Sequence, residues 1–152
     1  MNSYSLNNLY NFLDKSSIND TIELKELLYN ISFDDFYNLI DNYKNKYHND
    51  SGIYYRHSIY KKNNYEVVLI YWCPYSYSRI HSHPNKGCIM KVLKGYLDID
   101  LYDDSDYSTI QHYSCKTILE DQIEYIKGKH GIHRISNDKN SDYAISLHIY
   151  MY

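Results

Sequence analysis

The segment Tyr96-Leu97-Asp98-Ile99-Asp100-Leu101-Tyr102 alternates apolar and acidic side chains without a break. In an extended chain successive side chains point to opposite faces, so Leu97, Ile99 and Leu101 share one face and Asp98 and Asp100 the other. The same period of two spreads outward from it. Upstream it marks strands over 54–60, 66–72, 79–83 and 88–93, and downstream over 109–113, 123–125, 133–136 and 143–151. Short strands at close spacing, with no helical pattern between them, predict a mainly β sandwich or barrel. The first 47 residues follow a different period. Leu6, Leu9, Tyr10 and Leu13 recur at helical spacing, as do Ile22, Leu24, Leu27 and Leu28, then Phe33, Phe36, Leu39 and Ile40. Asp20 with Glu23, and Ser32 with Asp35, have the form of capping boxes. The polar stretch 48–52 ends this helical part. The expectation is one domain over 1–152: short helices over 1–47, then a β-barrel over 53–152.

A chain of 152 residues with 43% hydrophobic content can bury one core. Tyrosine is over-represented, 21 against 3 Phe, in a chain also rich in Asn, Lys and Ile. That pattern fits a nucleotide bias, so single tyrosines carry little functional signal. The net charge is −3 and no basic run tracks a phosphate backbone, which argues against nucleic acid. No apolar stretch approaches the roughly 20 residues of a membrane span, and the first residues lack the regions of a signal peptide. Cys73, Cys88 and Cys115 are too few and too odd in number for a disulfide framework. A monomeric, cytoplasmic protein acting on a small molecule is expected.

The chemistry-bearing segment is Arg79-Ile80-His81-Ser82-His83-Pro84-Asn85-Lys86-Gly87-Cys88. On a strand, His81 and His83 point the same way and offer two adjacent nitrogen donors to a metal. His133, in Gly131-Ile132-His133-Arg134, is either a hydrogen-bonded histidine or a third ligand that a barrel brings to the same wall. Gly95 marks a tight turn before the next strand. In the last strand Ser146, His148 and Tyr150 fall on one face, and Ile145, Leu147, Ile149 and Met151 on the other. The polar face is either an outer surface or a polar lumen. Ser, His and Tyr in line form a hydrogen-bond relay.

These motifs, in this order and at these distances, resemble the cysteine dioxygenase family of the cupin superfamily. The resemblance rests on Ile80-His81-x-His83, Cys88, Gly95, Gly131-Ile132-His133-Arg134 and Ser146-Leu147-His148-Ile149-Tyr150. Arg56, in Tyr54-Tyr55-Arg56, falls near the position of the family's substrate-binding arginine, allowing one gap. The match covers roughly 53–152 well and the helical part loosely. It implies a cupin fold, a double-stranded β-helix barrel, and iron(II) bound by His81, His83 and His133. Arg56 then grips the carboxylate of L-cysteine with Tyr54 close by. Cys88 and Tyr150 form a thioether cross-link, and Ser146 and His148 orient the tyrosine. Dioxygen is the second substrate and cysteine sulfinic acid the product.

The physical chemistry of such a site is coherent. Three neutral imidazoles leave the metal's double charge uncompensated, which favours a thiolate ligand. A guanidinium offers a carboxylate two parallel hydrogen bonds, which Lys cannot. In several places the sequence departs from the family. Ser82 stands where Asp is usual, Pro84 reshapes the turn before Cys88, and the family's C-terminal cover of the pocket has no counterpart after Tyr152. Two further readings remain. One is a related dioxygenase for 3-mercaptopropionate or cysteamine, and the other a non-catalytic cupin, since three His and water also suit zinc. A zinc or manganese isomerase needs a carboxylate base that the motif lacks. Cys73 and Cys115 are read as structural, and His48, His57, His112 and His130 are given no role.

Overall fold

The computed structural model describes residues 4–15, 21–62, 64–82, 86–103, 111–126, 132–138 and 141–152. Helices α1 (Tyr4–Lys15) and α2 (Thr21–Tyr29) are followed by a 3-10 turn (Phe33–Phe36) that runs into α3 (Tyr37–Tyr47). The Ser32–Asp35 capping box is present, with the Ser32 N–H donating to the Asp35 carboxylate at 2.7 Å. Asp20 of the other expected box lies outside the described residues. Ile22, grouped by spacing with the apolar face of α2, is 73% exposed, and Leu24 and Leu28 carry that face instead. No helix among the described residues is long and apolar enough to cross a membrane.

Among the described residues eight strands follow: β1 (Tyr54–Lys62), β2 (Tyr65–Trp72), β3 (Cys88–Lys94), β4 (Leu97–Asp103), β5 (Gln111–Ile118), β6 (Ile123–Ile126), β7 (His133–Ser136) and β8 (Ala144–Met151). They form a five-stranded sheet in the order β1-β2-β8-β3-β6 and a three-stranded sheet in the order β5-β4-β7. All the pairings are antiparallel. Strand periodicity sorts the five-stranded sheet into two faces. Val68, Ile70 and Trp72 of β2 and Cys88, Met90 and Val92 of β3 meet Leu97, Ile99, Ile118 and Ile135 between the sheets. Val67, Leu69, Ile89, Leu93, Ile145, Leu147 and Ile149 face outward onto Leu9, Leu13, Leu24, Leu28 and Ile40 of the helices. The sheet is therefore buried on both faces, and β8, its middle strand, is buried at every position. The polar row Ser146, His148 and Tyr150 lies on the inner face, so the polar face of β8 is a lumen wall.

Gly95 has φ +78°, and a Cβ there would sit 3.2 Å from the Ala144 Cβ. Only glycine meets both demands. The strand expected over 109–113 is described from Gln111 and runs on to Ile118. The strand expected over 79–83 does not form over its described part, 79–82. The stretch instead touches β7 through two isolated bridges, Tyr77 to Ser136 and His81 to His133. Ser78 explains the interruption: its N–H donates to the Ile135 carbonyl at 2.8 Å. The Ile135 N–H, however, donates to the Ser78 Oγ at 3.0 Å. A hydroxyl replaces a carbonyl in the ladder, and it turns its own proton to the Arg79 carbonyl. Local side-chain bonding of this kind competes with regular pairing.

Candidate metal and thiol site

A cavity of about 380 Å³ opens between the sheets, with Tyr54, Arg56, Trp72, His81, His148 and Tyr150 in its wall. His81 and His133 meet through a pair of backbone hydrogen bonds, each 2.9 Å, and their ring centroids lie 4.5 Å apart. His133 is fully buried. The His81 Nδ1 lies 2.6 Å from the Arg79 carbonyl. A carbonyl only accepts, so Nδ1 carries the proton and the ring's lone pair is on Nε2. Metal-binding histidines are commonly held this way, with one nitrogen tied to a carbonyl and the other turned to the ion. His83 lies outside the described residues, as do Pro84, His130 and Gly131. Among the described residues, no Asp or Glu lines the cavity.

β3 and β8 bring Cys88 and Tyr150 directly opposite one another. The Met151 N–H donates to the Gly87 carbonyl at 3.0 Å, which makes Cys88–Tyr150 a non-hydrogen-bonded pair. In such pairs side chains approach most closely, with Cα atoms about 4.5 Å apart. Burial pushes both the Cys88 thiol and the Tyr150 phenol well above their usual values. Both are neutral near pH 7. The Arg56 guanidinium lies 5.3 Å from the Tyr150 ring centroid and hydrogen-bonds its hydroxyl.

Behind this pair runs a buried relay. The Trp72 indole N–H donates to the Ser146 Oγ at 2.8 Å, and the Ser146 Oγ lies 2.7 Å from the His148 Nε2. The indole can only donate, so the hydroxyl accepts from it, and towards Nε2 the same hydroxyl either donates or accepts according to the His148 tautomer. On its other side the His148 Nδ1 faces the Cys88 Sγ at 3.8 Å. Burial, reinforced by Arg56, His133 and His81, lowers the His148 pKa from 6.5 to about 3. The imidazole is thus neutral across the physiological range, stacked beside Tyr150 with centroids 5.9 Å apart.

Two participants carried no sequence signal of their own. Trp72 stacks on Tyr54 at 4.8 Å while anchoring Ser146; its inward position on β2 was legible, its partner was not. Asn137, buried after β7, donates to the carbonyls of Trp72 and Cys73 at 3.3 Å and of Asp142 at 2.9 Å. It ties the segment leading to His81 to the end of the barrel. Cys73 and Cys88 are buried free thiols.

Known proteins share this combination of motif and fold. The family model for cysteine dioxygenase type I matches residues 34–152. The chain belongs to the cysteine dioxygenase type I family. Curated members include the type 1 enzymes of Rattus norvegicus, 32% identical over 88 residues, and of Homo sapiens, 31% identical over the same length. Each alignment covers 57% of this chain and 44% of the relative, so the matched part spans less than half of those proteins. The fold is that of a cupin. A cupin superfamily protein from Desulfitobacterium hafniense superposes with a TM-score of 0.51 at 12% identity, covering 67% of this chain and 80% of its own. A cupin domain from Bordetella pertussis gives 0.50 at 10% identity, with 68% and 97% covered.

Proposed function

We propose that this family member is a thiol dioxygenase that converts L-cysteine and dioxygen to cysteine sulfinic acid, with iron(II) as its only cofactor. The observation that carries this reading is that His81, bridged to the buried His133, lines the same cavity as Arg56 and Tyr150, with Cys88 directly opposite Tyr150 on the neighbouring strand. The donor set fits the metal. Neutral imidazoles, one tied through Nδ1 to a backbone carbonyl and none accompanied by an Asp or Glu in the described wall, leave the cation's charge to be balanced by a thiolate. His81, His83 and His133 would hold it. A bound iron(II) supplies the one-electron chemistry that lets dioxygen react with a thiolate.

The chain's own residues do the rest. Arg56 pairs with the substrate carboxylate and fixes the thiol's orientation, turning an encounter into an intramolecular step. Its hydrogen bond to Tyr150 keeps the phenol at the same place. The neutral His148, Ser146 and Trp72 back the pocket without adding charge. Ile70 and Ile135 limit water in the cavity. Both oxygen atoms end on sulfur, which gives up four electrons as R–SH becomes R–SO₂H. The Cys88–Tyr150 thioether joins Sγ to the tyrosine ring with loss of two hydrogens, dioxygen being the oxidant. The test is oxygen uptake and sulfinate formation by iron-loaded protein with L-cysteine. Uptake no greater than in the metal-free control rejects the reading. Intact mass after turnover, in wild type and Cys88→Ala, reads the cross-link.

A further inference from the structure

Glu66 is a charge set at the end of an apolar row. At a period of two along β2 it precedes Val68, Ile70 and Trp72 of the inner face. Its side chain is only 15% exposed. The strand register places it between Lys61 of β1 and Tyr150 of β8. The Lys61 ammonium lies 3.6 Å from the Glu66 carboxylate, but that side chain is 71% exposed. An ion pair so open to water contributes little, and by itself it does not account for a sheltered carboxylate in this row.

Arg56 is drawn to the same end of the sheet. Its own register partner is Ile70, which pairs in turn with Ser146. Its guanidinium nevertheless lies 5.3 Å from the ring of Tyr150, four residues further along β8 and directly opposite Glu66. Burial works against the Arg56 charge, yet the Tyr150 hydroxyl and the Glu66 carboxylate outweigh it. The guanidinium therefore feels one anion before any ligand arrives. Glu66 does not line the cavity, so a bound molecule meets Arg56 and not the carboxylate beyond it.

We propose that Glu66 is a specificity-determining residue that weakens the hold of Arg56 on a substrate carboxylate, and that Lys61 restrains Glu66 in turn. This rests on the thiol-oxidising reading, in which Arg56 receives the substrate carboxylate, and refines the selectivity of that contact. An entering carboxylate shares Arg56 with Glu66, so it binds less tightly than to a lone guanidinium. A thiol that ends in an ammonium gains from the same carboxylate. Arg56 and Lys61 both reach solvent, so these effects are screened to the order of a few-fold.

The test titrates anaerobic iron-loaded protein by calorimetry with 3-mercaptopropionate and with cysteamine, two-carbon thiols ending in a carboxylate and in an ammonium. Glu66→Gln keeps the shape of the side chain and is expected to tighten 3-mercaptopropionate at least threefold while leaving cysteamine unchanged or weaker. Lys61→Met is expected to weaken 3-mercaptopropionate at least twofold, and that loss should vanish in the Glu66→Gln background, because the lysine acts through the carboxylate. In oxygen uptake with L-cysteine, the Glu66→Gln effect should fall on KM, which drops, rather than on kcat. If no thiol is oxidised yet binding follows this pattern, the oxidation reading fails and the role of Glu66 stands. If thiols are oxidised but Glu66→Gln moves both ligands alike, or tightens 3-mercaptopropionate by less than threefold, the inference is overturned and the oxidation reading survives. Equal Lys61→Met losses with and without Glu66→Gln overturn the part given to Lys61.

Discussion

Lys91→Met tests how the helical layer is fastened to the barrel. Lys91 sits on the outer face of β3, only 3% exposed, opposite Leu147 of β8 and Ile123 of β6. Its ammonium donates to the carbonyls of Ile31 at 2.6 Å, Leu28 at 2.9 Å and Tyr29 at 3.4 Å. These carbonyls lie at and just beyond the end of α2, where the last turn has no intrahelical donors and the helix presents its negative pole. An ammonium has three donors, so the count matches. Burial lowers the Lys91 pKa, while Asp121 and Asp35 oppose that. Met keeps the stem's packing and removes the donors. The Leu28 carbonyl keeps the Ile31 N–H at 3.2 Å, so the largest loss falls on Ile31. A hydrogen bond to a charged group contributes roughly 1.5–3 kcal/mol. Removing the two short ones, less the relief of the ammonium's own desolvation, leaves a net loss of about 2–3 kcal/mol. For a domain of this size each kcal/mol shifts Tm by roughly 2–4 °C, so a drop of about 4–12 °C is expected in thermal unfolding. Hydrogen exchange should rise first at 28–31. A Lys91→Met protein within about 0.5 kcal/mol of wild type, or more stable, refutes the reasoning, because desolvation would then outweigh the carbonyl bonds.

Other expectations concern the relay and the loop behind the cavity. Because the folded-state pKa of His148 is depressed from 6.5 to about 3, its contribution is fully present above pH 6.5 and is lost as pH falls towards 3. The slope is up to about 1.4 kcal/mol per pH unit in that window. Urea unfolding of metal-free protein between pH 7 and 4 should show a shallower loss in His148→Gln than in wild type, and equal slopes would disprove the assignment. Trp72→Phe keeps the ring beside Tyr54 but removes the indole donor to the Ser146 Oγ, so the ¹⁵N resonances of the His148 ring should shift; an unchanged spectrum contradicts the relay. Asn137→Ala strips donors from three carbonyls and should cost about 1–3 kcal/mol, with faster proteolysis within 73–78. A change under about 0.5 kcal/mol would mean the loop is held by other bonds.

What the sequence made legible followed from period and spacing. Alternation over 96–102 located β4, and the split of β8 into a polar and an aliphatic row was correct because both rows are buried, one in the lumen and one beneath the helices. Alternation alone could not choose between a lumen and a solvated face. The presence of helices on the outer side, itself readable in Leu6, Leu9 and Leu13, decides for the lumen. The 79–83 stretch misled for a local reason: its residues suit a strand, yet the Ser78 hydroxyl takes a ladder hydrogen bond that a carbonyl would otherwise take. Ile22 misled because α2 is short and only one narrow stripe of it, Leu24 and Leu28, reaches the sheet.

Lys91 and Asn137 were beyond reach for a different reason. Each completes hydrogen bonds that another part of the chain leaves open, and a partner some 60 residues away leaves no trace in local pattern. A trace exists only as an inconsistency. Lys91 stands between Ile89 and Leu93 in the row that faces the helices, where a charge belongs only if something buried needs it. The same logic applies inside the barrel. Arg56 stands in a strand whose neighbours are aromatic and reaches the Tyr150 ring. A charge set against its surroundings is answered from within the fold at Lys91, by three carbonyls. At Arg56 the answer also comes from the fold, through the Tyr150 hydroxyl and the Glu66 carboxylate that favour its charged form.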